Sequence, residues 1–421
     1  MTEEAGGFEP DAQGLHGAVT MLVAALGEPG DLPDQPPVPT AGTLDLPEAL
    51  PEEGVGEGAA LEHLAPAALT GAARLGDPGY FAHMDPPTPW VSWAAAMWAA
   101  SLNQNLLHPD TAPTARLLEE RVVGWLAPCF GMGGGHLVPG STIANLTALW
   151  AARELRGVTE VVCSTVAHVS VRKSAHLLGL GLREVPVDAA QRLDVGSLGD
   201  LSRSALVLTA GTTVAGAVDP LHAGEGAAWR HVDAAWAGPL RLTDRYASRL
   251  AGVETADSVA VSGHKWLFQP KESALVLFAD TERAHAAVSH GAGYLAVPNV
   301  GVLGSHGAAA LPLAATLLAW GRTGVAARVE RCMHHAETLA ELVRADGRLE
   351  LAPVLREAGP RAGVVLWRPR DADPDAVRAR LYRSFVSVTE LDGQRWLRSV
   401  AANPSADPHL VVDDVLSASR G

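Results

Sequence analysis

The sequence predicts an α/β protein built on a mostly parallel sheet covered by helices, and two observations carry that prediction. Between residues 140 and 278, short apolar runs at 158–163, 184–187, 205–208, 229–232, 258–261 and 274–278 alternate with stretches of helical spacing. That alternation is what a parallel sheet requires, because parallel neighbours are joined by long crossovers, usually helices. After a long helical region at 311–343, the tail changes character, with strand candidates at 363–367, 386–389 and 396–400 and helices at 373–382 and 407–417. This composition suits a second, smaller α+β unit.

The preceding elements read in order as an arm, a linker and a helical segment. Leu15, Val19, Leu22 and Leu26 recur at helical spacing, and a Pro, Gly and acid-rich linker follows from 27 to 58, so residues 1–60 form an N-terminal arm. Within 61–135, two helical patterns between Val91 and Phe130 flank residues 103–110. The second starts near Thr111 and sets Leu117, Val122 and Leu126 on one face. The large unit is then 136–310, and the long helix with the small unit occupies 311–421. No internal repeat is evident.

A chain of 421 residues has room for two or three compact units and a buried site. Hydrophobic residues are 48% and charged ones 19%, an ordinary globular balance. With 32 Lys and Arg against 47 Asp and Glu, the net charge of −15 argues against nucleic acid or an anionic membrane as partner. Residues Met1 to Pro10 carry acids and no basic residue, the wrong order for a secretory signal, and no window reaches the roughly 18 apolar residues of a membrane helix. Cys129, Cys163 and Cys332 are odd in number and far apart, which points to reduced thiols in a cytoplasm.

Chemistry concentrates where the strand candidates end. Ser262-Gly263-His264-Lys265-Trp266 follows the run at 258–261, putting a lysine at the strand end where α/β proteins bind ligands. Alone, such a lysine is more often a solvated surface residue. Upstream, His231-Val232-Asp233-Ala234-Ala235-Trp236-Ala237-Gly238 places an acid at a strand end, followed by small residues that let a planar ring approach. A lysine that ties an aldehyde and a carboxylate that keeps a pyridine nitrogen cationic together let the ring accept electrons from an amino acid Cα. The competing reading of Asp233 is a helix N-cap.

Three further segments fit the same edge. Gly140-Ser141-Thr142 opens a helical run, and the backbone N–H groups of a helix start suit a phosphate monoester. His168, just after a strand candidate, is placed to stack on a ring, although a lone histidine is more often merely packed. The segment from Ala210 to Pro220, with Thr212 and Thr213, follows another strand candidate. The adjacent His334-His335 pair projects on different faces of a helix and completes no zinc spacing, so no metal is expected.

In this order the five segments resemble the pyridoxal-dependent group II decarboxylases, which include the aromatic amino acid, glutamate and diaminobutyrate decarboxylases. The similarity begins near Tyr80-Phe81-Ala82-His83-Met84-Asp85-Pro86-Pro87, continues through Leu102-Asn103-Gln104-Asn105 and reaches Leu397-Arg398-Ser399-Val400-Ala401-Ala402-Asn403-Pro404. It implies pyridoxal 5′-phosphate as cofactor, an amino acid as substrate and a fold-type I architecture with sites at the interface of a homodimer. By this resemblance Lys265 matches the Schiff-base lysine, Asp233 the partner of the pyridine nitrogen, and His168 the histidine stacked on the ring. Ala235 matches the residue against the opposite ring face. Gly140, Ser141, Thr142 and His264 match phosphate-side positions, Thr212 a hydroxyl near the ring, and Arg398 an arginine that binds the substrate α-carboxylate. Ser262 counts with the cofactor contacts, and His83 and Trp90 with those of the substrate.

The sequence departs from the family pattern in places. The loop between the lysine strand and the next long helix is short, and the tyrosine that relatives use there to protonate Cα is missing, since Tyr294 aligns with an earlier position. Ile143 stands where Glu is usual, Ser262 where Asp or Asn is common, and His306 where diaminobutyrate-type relatives carry arginine. Trp90 and Trp93 add bulk beside Asp85-Pro86-Pro87. Decarboxylation is the leading expectation. The alternatives are decarboxylation coupled to oxidative deamination, Cα or Cβ lyase chemistry such as a desulfurase, and a non-catalytic descendant of the fold.

Overall fold

The computed structural model describes residues 9–27, 36–40 and 46–420. The start of the chain and much of the expected 27–58 linker lie outside the described residues. The central feature is a seven-stranded sheet of β1 (Gly134–Val138), β2 (Glu160–Ser164), β3 (Gly181–Val185), β4 (Ser204–Thr209), β5 (Trp229–Asp233), β6 (Ser258–Ser262) and β7 (Ala274–Phe278). Their order across the sheet is β1-β7-β6-β5-β4-β2-β3. Only β7 runs against its neighbours, β1 and β6. The 263–273 connection holds no helix, so the chain returns beside β6 in the opposite sense. Every residue of β4, β6 and β7 is buried, as expected for strands covered on both faces.

Six of these strands were legible as apolar runs, whereas β1 was not. Its sequence, Gly-Gly-His-Leu-Val, has weak strand propensity. The glycine is needed because a Cβ on Gly135 (φ +155) would lie 2.0 Å from the Val276 carbonyl oxygen. Close approach to β7 thus removed the hydrophobic signal that would have announced the strand.

The helices are α1 (Ala12–Leu26), α2 (Glu57–Ala65), α3 (Trp90–Leu102), α4 (Pro113–Leu126), α5 (Ser141–Arg156), α6 (Val169–Leu177), α7 (Thr281–Ala287), α8 (Ala310–Ala345), α9 (Pro353–Arg356), α10 (Pro374–Arg380) and α11 (Pro408–Ala418). Helix α5 buries Ala144, Ala148, Ala151 and Ala152, a face small enough to lie close on the sheet. The long helix expected at 311–343 is α8, broken at Gly321, whose φ of 61° and ψ of 179° are not helical.

After a two-residue strand pair, β8 (Ser289–His290) and β9 (Asn299–Val300), the small unit adds a wholly antiparallel sheet. It contains β10 (Leu349–Leu351), β11 (Val364–Pro369), β12 (Ser387–Leu391) and β13 (Gln394–Val400), ordered β10-β11-β13-β12. Two buried tryptophans of the large unit join it to this sheet. Trp236 donates its indole N–H to the Ala362 carbonyl at 2.6 Å, and Trp266 donates to Ala401 at 3.1 Å, with their ring centroids 4.0 Å apart. This fixes β13, and with it Arg398, beside the edge where the parallel strands end.

Candidate active site

Because β1, β2, β4, β5 and β6 are parallel, the residues following each of them converge on one edge. There they enclose a cavity of about 350 Å³ lined by Gly140, Ser141, Thr142, His168, Thr209, Thr213, Asp233, Ala235, Ser262, His264 and Lys265, among others. Such a volume lies in the range of small-ligand pockets.

Asp233 ends β5 with both carboxylate oxygens engaged. Oδ1 accepts the Ala235 N–H at 3.1 Å, and Oδ2 accepts from Asn145 Nδ2 at 2.9 Å. His168 caps α6, its Nδ1 accepting from the Ser170 backbone N–H at 3.2 Å and lying 2.8 Å from Ser170 Oγ. Burial lowers the His168 pKa, against the pull of the Asp233 carboxylate and with smaller help from the charges on Lys265 and Lys173. Lys265 follows β6, and burial lowers its ammonium pKa against the attraction of Asp233 and Asp85.

On the far side, Gly140 (φ +153) turns the chain into α5, and Ser141 Oγ lies 2.6 Å from Ser262 Oγ. A Cβ at Gly140 would make only ordinary contact with His264 Cε1 at 3.9 Å, so it is the backbone φ of +153° that favours glycine at this turn. His264 is pushed down to about 4, first by burial and then by Lys271 and Lys265. Its Nδ1 is buried without a hydrogen-bond partner, as is Thr209 Oγ1. Buried polar atoms without a partner along a cavity wall leave hydrogen-bonding capacity for a ligand to fill. With a helix N-terminus at one end, a carboxylate at the other and an amine between, the donor set fits a phosphorylated pyridine aldehyde.

Arg398 stands next to this cavity, 7% exposed, its Nε donating to the Thr213 carbonyl at 2.8 Å and Nη1 to that of Ala82 at 3.2 Å. Burial pushes its pKa down to about 10, and among the described residues no carboxylate pairs with it. Like Arg398, which reaches the wall only through Thr213, three more of the expected residues do not line the cavity. The Thr212 hydroxyl accepts the Ala217 N–H at 3.0 Å and closes a turn, leaving the wall to Thr213. Trp90 is 72% exposed at the start of α3, and His83 packs beside Phe385 with ring centroids 5.9 Å apart. Among the described residues no tyrosine lines the cavity, and Tyr294 is exposed.

Sequence reading assigned no role to Thr209 or Asn145. Asn145 is fully buried on the alanine face of α5. A polar residue at an apolar helix position is the signal that could have found it.

The model of the pyridoxal-dependent decarboxylase conserved domain matches residues 41–362. The chain belongs to the pyridoxal-dependent decarboxylases. Its similarity to the L-2,4-diaminobutyrate decarboxylase of Rhizobium meliloti (strain 1021) is 32% identity over 90% of this chain and 85% of that one. Among solved structures, Oryza sativa TDC with PLP and tryptamine superposes with a TM-score of 0.86 at 22% identity, covering 98% of this chain and 99% of that one. The glutamate decarboxylase domain from Vibrio parahaemolyticus gives 0.80 at 23% identity, covering 98% and 97%. These two likenesses establish the fold, which is that of the fold-type I enzymes. This decarboxylase is accordingly a carboxy-lyase that acts on an amino acid with pyridoxal phosphate as cofactor.

Proposed function

We propose that the cavity at the sheet edge is where this decarboxylase removes the α-carboxylate of its substrate, and that Lys265, Asp233, His168 and Arg398 carry the work. The observation that supports this most is the convergence of Lys265 and Asp233 on one cavity wall with a helix N-terminus across from them. When bound, pyridoxal phosphate supplies an aldehyde that takes up an amine and a ring that accepts the electron pair left on Cα as carbon dioxide departs.

The chain's own groups prepare that chemistry. Burial favours the neutral, nucleophilic amine of Lys265. Asp233, fixed from two sides, keeps a proton on the ring nitrogen. His168 and Ala235 confine the ring between them. Ser141, Thr142 and His264 hold the phosphate at the start of α5, with Gly140 and Ser262 shaping that corner. Arg398, a buried cation without a carboxylate of its own, takes the substrate's carboxylate. The relatives act on diaminobutyrate, aspartate and tyrosine, so the family does not single out one side chain.

The functional unit in this reading is a cytoplasmic homodimer. Three free cysteines support a reducing compartment. Leu15, Val19 and Val23 on α1 and Trp90, Met97 and Trp98 on α3 are exposed, a concentration of apolar surface that supports a partner subunit. Among the described residues no helix is long and apolar enough to cross a membrane.

The test is to add pyridoxal phosphate to purified protein and follow the visible band of the lysine-bound cofactor, near roughly 420 nm. Wild type should show the band and Lys265→Ala should not. Supplied amino acids should yield carbon dioxide and amine in equal amounts. A band that survives in Lys265→Ala, or turnover without carbon dioxide, would overturn the reading.

A further inference from the structure

Asp233 and His168 share one buried hydrogen-bond chain whose donor directions are set by the acceptor-only carboxylate at one end and agree with the donor-only indole at the other. An indole nitrogen can only donate. Asn145 turns its amide nitrogen to Asp233 and its oxygen to His231 Nε2, so Nε2 donates and Nδ1 of the neutral ring accepts from Ser258 Oγ at 2.8 Å, a hydroxyl that itself accepts from Trp229 Nε1 at 2.8 Å. Neutral His231 thus carries its proton on Nε2, which lies 2.9 Å from Asn145 Oδ1, an atom that can only accept. The amide nitrogen of Asn145 then has two hydrogens to give. One goes to Asp233 Oδ2 at 2.9 Å and the other to Ser170 Oγ at 2.9 Å. At His168 Nδ1, which accepts the Ser170 backbone N–H at 3.2 Å, the Ser170 hydroxyl at 2.8 Å finds the same acceptor and gives its proton there.

No donor along this path lacks an acceptor, and Asn145, His231 and Ser258 are fully buried, so no water competes for their hydrogens. Reversing any link would set two donors or two acceptors face to face, which is costly in a buried site.

We propose that Asn145 and His231 are positioning residues: one relay fixes the carboxylate of Asp233 and, through Ser170, holds His168 in the tautomer that carries its proton on Nε2. This rests on the reading that Asp233 and His168 face the cofactor ring. It adds that the two are set by a common element, so that disturbing Asn145 alters both. Ser170 governs only the His168 branch, which lets the branches be separated.

The experiment uses full-length protein labelled with 15N-histidine, first without cofactor, with His168 and His231 signals assigned through His168→Gln and His231→Gln. Wild type should show both rings neutral with the proton on Nε2. Asn145→Leu, close in size, should shift both signals and weaken pyridoxal phosphate binding by about tenfold or more, as loss of a hydrogen bond to a charged group implies. Ser170→Ala should shift only the His168 signal and so tests the relay even where Asn145→Leu fails to fold. A proton on Nδ1 of either ring in wild type, or an Asn145→Leu protein with unchanged signals and affinity, would overturn the relay. Wild-type protein that takes up no pyridoxal phosphate would instead overturn the assignment of the cavity, a separate outcome because the tautomers are read without cofactor.

Discussion

At Lys265 and Arg398 the same physical cause, removal from water, has different consequences. Burial lowers both pKa values, yet an amine with a reference value near 10.4 moves toward its neutral, nucleophilic form, while a guanidinium remains charged. Arg398 therefore stays a cation whose desolvation is offset by neutral acceptors, the carbonyls of Thr213 and Ala82 and the hydroxyl of Ser387. An incoming carboxylate would supply the missing counter-charge. Replacing it in Arg398→Gln should lower kcat/KM by about tenfold to a hundredfold, the range for a lost charged hydrogen bond, with most of the loss in KM. Steady-state kinetics on the best substrate checks this, and an unchanged KM would move the carboxylate site elsewhere. Lys265→Ala should cost at least about a thousandfold in turnover, since the covalent route needs that amine.

Elements matter here through the places where they stop. The parallel strands β2, β4, β5 and β6 deliver residues to the cavity because they end at its edge, and the helix that follows β1 delivers its N-terminus. The break in α8 is of the same kind. Gly321 holds φ 61° with ψ 179°, a conformation nearly closed to other residues, and a Cβ there would meet nothing within 4 Å. Gly321→Ala should therefore destabilise through backbone strain alone, by about 1–3 kcal/mol, measurable by urea denaturation with an unchanged m-value. Stability equal to wild type would show that α8 can straighten without cost.

For the whole molecule, two behaviours follow from surface and core. If the apolar faces of α1 and α3 meet a second copy, Trp98→Glu should dissociate the dimer, and sedimentation velocity should show a monomer. A variant that stays dimeric would place the interface elsewhere. In the core, burial lowers His136 to about 3 and His231, His264 and His335 to about 4. Their unfolded values lie near 6.5, so the unfolded chain takes up protons first as pH falls, and stability present above about 6.5 is lost toward pH 4. Asp219, pushed up to about 6 by burial, and Glu119, also raised by burial, work the opposite way, but against them stand these four histidines and the lowered His83, His168 and His285. The melting temperature of the cofactor-free protein should therefore fall from pH 7 to pH 5. His231→Asn, though less stable at pH 7, should show a shallower slope, and an equal slope would remove His231 from the account.

The sequence by itself determined the alternation of buried strands and helices, the chemistry at the strand ends and, through the order of its motifs, the family. Those signals are local: an apolar run announces a strand, and Ser262-Gly263-His264-Lys265 announces an amine at its end. Only the tertiary structure decided what depends on approach between distant segments. It showed β1, whose Gly135 admits β7, and it drew Asn145, His231 and Ser258, 86 and 27 positions apart along the chain, into one relay. It also turned Thr212 into a turn and gave the cavity wall to Thr213, and it left Trp90 on the surface. Hydrogen-bond direction and burial belong to the packed interior, so a residue's place in the chain can name it as a candidate but cannot say what it touches.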